Sequence, residues 1–169
     1  MFCEIHVMKK ILLVLFCGLL AACGFQLRGT ATLPFETIYI SFPAGHPIGT
    51  DLKRLIKAGT KTRIVEKPKD AQAILEIISV VNDKQIMSVS GGGRVREFEL
   101  RYRVSFRLVD AKGGELIPTN EIALRRILPF TDAQVVAKEG EEAMLVREMQ
   151  SDSAAQIVRR MEAVKVASD

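Results

Sequence analysis

The chain has no tryptophan, two histidines, two tyrosines and three cysteines in 169 residues, and the cysteines, Cys3, Cys17 and Cys23, all stand near its start. Nothing beyond Cys23 can therefore build a disulfide framework or a cysteine-based metal site. A run long enough to span a bilayer is also missing. The apolar stretch Ile11 to Leu20 is far shorter than the roughly 20 residues a membrane-crossing helix needs. Charge of one sign is scarce as well, since 24 basic residues face 20 acidic ones for a net +4. So mild an excess is no signature of nucleic-acid binding.

What the N-terminus does contain is a basic pair and a short apolar run, Met8-Lys9-Lys10 followed by Ile11 to Leu20, the pattern of an export signal. The charged start makes Met8 the expected true start. After the run comes Leu20-Ala21-Ala22-Cys23-Gly24, a lipobox: a Leu, two small residues that let a peptidase approach the bond, and a thiol that carries the lipid. An ordinary secretory cleavage site with a chance cysteine is the competing reading. The spacing from the basic pair and the lack of any later cysteine favour lipidation at Cys23. Gly24 stands where Asp would commonly retain a lipoprotein at the inner membrane, so the expected destination is the outer membrane, periplasmic side, with the protein held by its acyl chains.

These readings divide the chain into a signal peptide at 1–22, a lipidated lead-in at 23–34 and a single domain at 35–165. Cleavage before Cys23 leaves 147 of the 169 residues and, without Lys9, Lys10 and Glu4, a net charge of +3. That length builds one real core but hardly two.

Within the domain, Glu36 to Phe42 alternates with period two and predicts a first strand. Thr50 is placed to cap a helix from Asp51 to about Ala58, with Leu52, Leu55 and Ile56 as its apolar stripe and Gly59 as its stop. Basic residues crowd Lys57 to Lys69, where Thr62 to Glu66 predicts an extra strand and Lys67 to Asp70 a turn. Strand-like segments at Ala73–Val81 and Ile86–Val89 lead to Gly91-Gly92-Gly93, a hairpin loop that is either a flexible tip contacting a partner or a permissive turn.

The clearest element follows. Phe98, Leu100, Tyr102, Val104, Phe106 and Leu108 share one parity, and Glu97, Glu99, Arg101, Arg103, Ser105 and Arg107 the other. Such alternation predicts a mixed or antiparallel sheet with one face covered by helices and one face wet. After a turn at Asp110 to Gly114, Glu115 to Phe130 returns as a strand. Arg126 falls in its apolar phase, so it lies near a strand end or a bulge shifts the register. The stretch from Asp132 to Val164 predicts a long helix with Leu145, Met149, Ile157 and Met161 on its stripe, kinked or broken at Gly140.

Catalytic chemistry is thin. His6 leaves with the signal, so His46 stands alone in a proline-flanked turn, a surface position, and no Gly-x-Ser-x-Gly elbow accompanies it. Metal-ligand spacing is absent. Glu139, Glu141 and Glu142 read as helix-stabilising charges near the positive end of the helix dipole. The glycine run lacks the Lys-Ser/Thr and the helix of a phosphate loop. No cofactor is expected beyond the covalent lipid, and a binding or scaffolding protein is favoured over an enzyme.

Three strings in this order after a lipobox carry a resemblance. They are Cys23-Gly24-Phe25-Gln26-Leu27-Arg28-Gly29, Glu97-Phe98-Glu99-Leu100-Arg101-Tyr102, and Met144-Leu145-Val146-Arg147-Glu148-Met149 continuing to Ala155-Gln156-Ile157-Val158-Arg159-Arg160. Over nearly all of the mature chain the sequence resembles the LPS-assembly lipoprotein LptE family. The resemblance implies an α+β fold, an α/β sandwich whose mixed, mostly antiparallel four-stranded sheet carries two helices on one face. It also implies a partner, the LptD β-barrel, which the protein plugs and helps to assemble, and a cargo, lipopolysaccharide, which it helps deliver to the outer leaflet. A lipid-anchored scaffold for another envelope machine, without lipopolysaccharide binding, is the alternative.

A barrel lumen is polar, which makes the face bearing Arg101, Arg103 and Arg107 the candidate barrel-facing surface; an ordinary solvated sheet face is the competing reading. Family members associate lipopolysaccharide with basic residues at the hairpin tip and at the start of the long helix. Lys138 matches the second position. At the tip, Gly91-Gly92-Gly93 stands where an arginine is expected, leaving Arg94 and Arg96 as the nearest substitutes.

Overall fold

A computed structural model describes residues 32–130 and 135–164, without the side chains of 135–137. The expected signal peptide at 1–22, Cys23 and most of the expected lead-in at 23–34 lie outside the described residues. In chain order the elements are β1 (Thr37–Ser41), α1 (Ile48–Gly59), β2 (Arg63–Ile64), a 3-10 turn (Pro68–Asp70), β3 (Ala73–Val89), β4 (Val95–Asp110), β5 (Glu115–Pro129) and α2 (Val135–Glu162).

They form one mixed sheet in the order β2-β1-β3-β4-β5. β1 pairs parallel with both β2 and β3, and such pairs need a crossover, which α1 supplies between β1 and β2. The long hairpins β3–β4 and β4–β5 are antiparallel. The sheet has five strands, not four. The fifth is the segment anticipated at Thr62 to Glu66, reduced to the two-residue edge strand β2.

Both helices cover the same face, and a single apolar core lies between the layers. Ile38, Leu75, Leu100, Val104, Phe106 and Leu108 point into it from the sheet, Leu52 and Ile56 from α1, and Met149, Ile157 and Met161 from α2. Each such side chain, fully withdrawn from water, contributes about 1.5–3 kcal/mol. Leu33, just before β1, is already part of this core.

Several local expectations change. α1 starts at Ile48, so Thr50 lies inside the helix rather than capping it. Pro47 occupies the cap position without a side-chain bond, and the Nδ1 of His46 instead accepts the Ile48 N–H at 3.3 Å. His46 is therefore half-buried, its ring tilted against Tyr102 at 6.4 Å, and not a free surface histidine. α2 runs through Gly140 without a break. Glu141 and Glu142 are held by side chains, Glu141 by Lys138 at 2.6 Å and Glu142 by Lys84 of β3 at 2.5 Å. The second pair ties the sheet to the helix two residues past the glycine.

β3 is one strand of 17 residues where the sequence read as two pieces. Its register against β4 shifts between Ile77 and Ser79 and again between Ile86 and Val89. An extra residue at each bulge bends the strand and interrupts the alternation, which is why the period-two signal faded. Arg126 shows the opposite. It pairs in register with Leu100 in mid-strand, neither at an end nor at a bulge, on the helix-covered side. Its guanidinium is satisfied by Asp152 of α2 at 3.0 Å.

Candidate functional site

β1 pairs only with the first residues of β3, Ala73 to Glu76. Beyond them the sheet narrows, and past Glu97, which pairs with Pro129 of β5, only the β3–β4 ribbon remains. At about 3.3 Å per residue the ribbon tip lies roughly 40 Å from the β1–β3 pairing. The molecule thus has a broad base and a projecting tip.

The tip is closed by bonds from Ser90 N–H to the Arg94 carbonyl at 2.7 Å and from Gly93 N–H to the Ser90 carbonyl at 2.9 Å. Ser90 Oγ also accepts the Arg94 N–H at 3.2 Å. Of the three glycines only Gly93 has positive φ, +75°. The turn needs glycine there and has no steric demand for it at Gly91, where an added Cβ would meet open space.

Next to the turn, Ile86, Met87 and Val89 are 60, 53 and 56 % exposed, a concentration of apolar surface that isolated surface residues do not produce. Basic groups accompany them. Arg96 is exposed on β4, and its carbonyl accepts the Phe130 N–H at 2.7 Å. The Nζ of Lys84 lies 4.3 Å over the Phe98 ring, and Phe98 meets Phe130 edge-on at 5.3 Å.

α2 crosses above this end, where Lys84 holds Glu142, and Lys138 lies one turn nearer the helix start, half-buried on Glu141. Among the described residues no hydrogen bond or ion pair joins Lys138 to Arg96. The exposed apolar residues and Lys84 were not singled out in the sequence. Their signal was the Ile/Val/Met content of 86–89, but that content does not by itself say which side chains are left exposed beside the turn.

The sheet face away from the helices carries Arg101, Arg103 and Arg107, as the alternation of β4 requires. None is a bare cation. Arg107 donates to Glu76 at 2.5 Å, and that bond and the carboxylate charge raise its pKa. Arg103 lies 3.9 Å from Asp83, whose Oδ1 is buried without a hydrogen bond among the described residues. Glu99 holds Arg101 and, at 3.8 Å, Arg125 of β5. Between these pairs Ile78, Val81 and Ile127 are exposed. The open face is a ladder of ion-paired side chains interspersed with aliphatic patches.

His46 offers no catalytic constellation. Its Nδ1 is engaged by the Ile48 N–H, burial lowers its pKa, and its ring neighbour Tyr102 has its own pKa raised, chiefly by burial and then by the charge of Asp51. Asp51 is bound by Arg54 and Gln150. Among the described residues no cluster of three His, Cys, Asp or Glu side chains could hold a metal.

A family model described as LptE, Lipopolysaccharide-assembly, matches residues 35–161. The chain belongs to the LptE family. Similar proteins include the LPS-assembly lipoprotein LptE of Yersinia enterocolitica, 30 % identical over 95 % of this chain and 80 % of its own. That of Photorhabdus laumondii is 26 % identical over 92 % of this chain and 86 % of its own. Among solved structures, the solution structure of lipoprotein B from Nitrosomonas europaea is similar at 50 % identity and TM-score 0.74, over 83 % of this chain and 91 % of that one. A minor lipoprotein from Acinetobacter baumannii shares the LptE fold at 23 % identity and TM-score 0.65, covering 81 % of this chain and 99 % of its own. No helix among the described residues is long and apolar enough to cross a membrane.

Proposed function

We propose that this LptE-family chain is a non-enzymatic outer-membrane lipoprotein, anchored through lipid on Cys23. It plugs the LptD β-barrel, assists that barrel's assembly and helps deliver lipopolysaccharide to the outer leaflet. The observation that carries this reading is the projecting hairpin tip, where uncovered Ile86, Met87 and Val89 stand beside Arg94 and Arg96. Acylated, phosphorylated lipid A offers both an apolar and an anionic complement. Arginine and lysine bind phosphates through charge-assisted hydrogen bonds.

The open face supports the plug. A barrel lumen is lined by polar side chains, and the ion-paired face at Arg101, Arg103 and Arg107 offers it a polar surface. The proposed organisation is a signal peptide at 1–22, a lead-in at 23–34 and the LptE-like domain at 35–165, with no cofactor other than the lipid.

Co-purification from solubilised envelopes is the test. LptD is expected in the eluate, and depletion of the chain is expected to lower both folded LptD and surface lipopolysaccharide. Recovery of a different envelope machine, with normal barrel assembly, would refute the proposal. Charge reversal at Arg94 and Lys138 together is expected to weaken lipopolysaccharide binding most at low salt. Equal binding by the variant and the wild type would remove both residues from the site.

A further inference from the structure

The charges of the sheet are matched almost pair by pair, whereas those along the β2 edge are not. Between the end of α1 and the start of β3 stand Lys57, Lys61, Arg63, Lys67 and Lys69, all exposed. None of the five forms an ion pair among the described residues. The acids of the same stretch, Glu66 and Asp70, leave three charges uncompensated. Five basic groups without a carboxylate partner thus stand together along one edge, at the base of the molecule and about 40 Å from the hairpin tip.

That edge is also where the N-terminal chain joins the domain. Thr32 to Glu36 share a groove with Lys61 and Thr62. The Thr62 hydroxyl donates to the Phe35 carbonyl at 2.9 Å, and the Arg63 N–H donates to the Glu36 carbonyl at 2.8 Å. Cys23 precedes Thr32 by nine residues, a span of at most about 30 Å at full extension. A lipid on that cysteine therefore holds the basic edge, rather than the tip, close to the bilayer surface.

We infer that the β2 edge, through Lys57, Lys61, Arg63, Lys67 and Lys69, docks on anionic phospholipid headgroups of the leaflet that carries the lipid anchor. The inference rests on the proposed lipidation of Cys23. Acyl chains alone confine a protein to a membrane without orienting it. A polybasic edge beside the tether turns confinement into a fixed attitude, with the base held at the level of the headgroups.

Because Cys23 is consumed by lipid, Ala58→Cys, on the exposed side of α1 between Lys57 and Lys61, would place a single fluorophore on the edge of the lipidated protein. Gly92→Cys would serve as the control at the tip. The protein is reconstituted into neutral phosphatidylcholine vesicles or into vesicles with about a third phosphatidylglycerol, and quenching by a soluble quencher is measured after flotation. Protection of the Ala58 label is expected in anionic vesicles alone, with the Gly92 label accessible in both. Each lysine against an anionic leaflet is worth about fivefold in surface occupancy. Lys57→Glu, Lys61→Glu and Lys67→Glu together are therefore expected to abolish protection while flotation persists.

Raising the salt should do the same to the wild type without any substitution. Flotation with equal quenching in both vesicle types would overturn the docking surface and leave the anchor standing. Failure to float on either would overturn the anchor itself. Protection that requires copurified barrel and ignores headgroup charge would assign the edge to a protein partner and also overturn the inference.

Discussion

Tyr102 is the residue whose replacement tests the energetics most sharply. Its side chain is 1 % exposed in the core, and its hydroxyl has no hydrogen-bond partner among the described residues. In the unfolded chain that hydroxyl is solvated, so folding strands it at a cost of about 1–3 kcal/mol. Tyr102→Phe removes the cost and keeps the ring. What is lost is the dispersion contact of one oxygen, about 0.1–0.2 kcal/mol per atom pair. The variant is therefore expected to be more stable by about 1 kcal/mol, a rise of roughly 3–6 °C in Tm for a domain of this size.

Urea titration should show a higher midpoint with an unchanged slope, meaning the same surface is exposed on unfolding. Tyr102→Ala, which deletes the ring, should cost about 3–5 kcal/mol by leaving a cavity. A Phe variant less stable than the wild type would refute the reasoning and show that the hydroxyl does make a stabilising bond.

Three further outcomes follow from the same geometry. A Cβ on Gly49 would meet the Phe42 ring at 2.4 Å, so Gly49→Ala should cost about 1–3 kcal/mol. Most of that loss should vanish in a Phe42→Ala background, as a double-mutant cycle by denaturation would show. Arg126 and Asp152 form a half-exposed pair at 3.0 Å, worth about 0.5 kcal/mol after solvent screening. Arg126→Leu, placed between Leu124 and Leu128, should thus be neutral within about that margin, whereas Leu128→Ala, in the same row, should cost about 2–5 kcal/mol.

Burial holds the pKa of His46 below its usual 6.5, so the unfolded chain takes up the proton first. Stability from the neutral ring is complete above that value and is lost as the pH falls from there through the depressed folded value. His46→Asn, which keeps an acceptor for the Ile48 N–H, should flatten this part of a stability-versus-pH curve.

Strand β4 was legible almost residue by residue, because a sheet with one covered face imposes strict alternation on a central strand. α1 and α2 were legible from their stripes for the equivalent reason at period 3.6. β3 was not, since its bulges insert residues that break the period, and α1 began earlier than its Thr50 signal because a histidine ring took over the capping bond. At the candidate site the sequence placed Arg94, Arg96 and Lys138 at plausible ends of elements. It could not mark Ile86, Met87 and Val89 as exposed, because burial of a sheet face depends on what is packed over it.

By itself the sequence determined the order of elements and the single core. These depend on composition and on periodicities within one segment. Only the tertiary structure decided which charges are spent and which remain. Arg101, Arg103 and Arg107 are matched by carboxylates that strand register brings opposite or beside them, and Arg126 by an acid 26 residues later on a helix laid across it. Among the described residues the lysines of the β2 edge have no element beyond them to supply a partner. Charge pairing is a property of distances between segments, and distance is what folding creates.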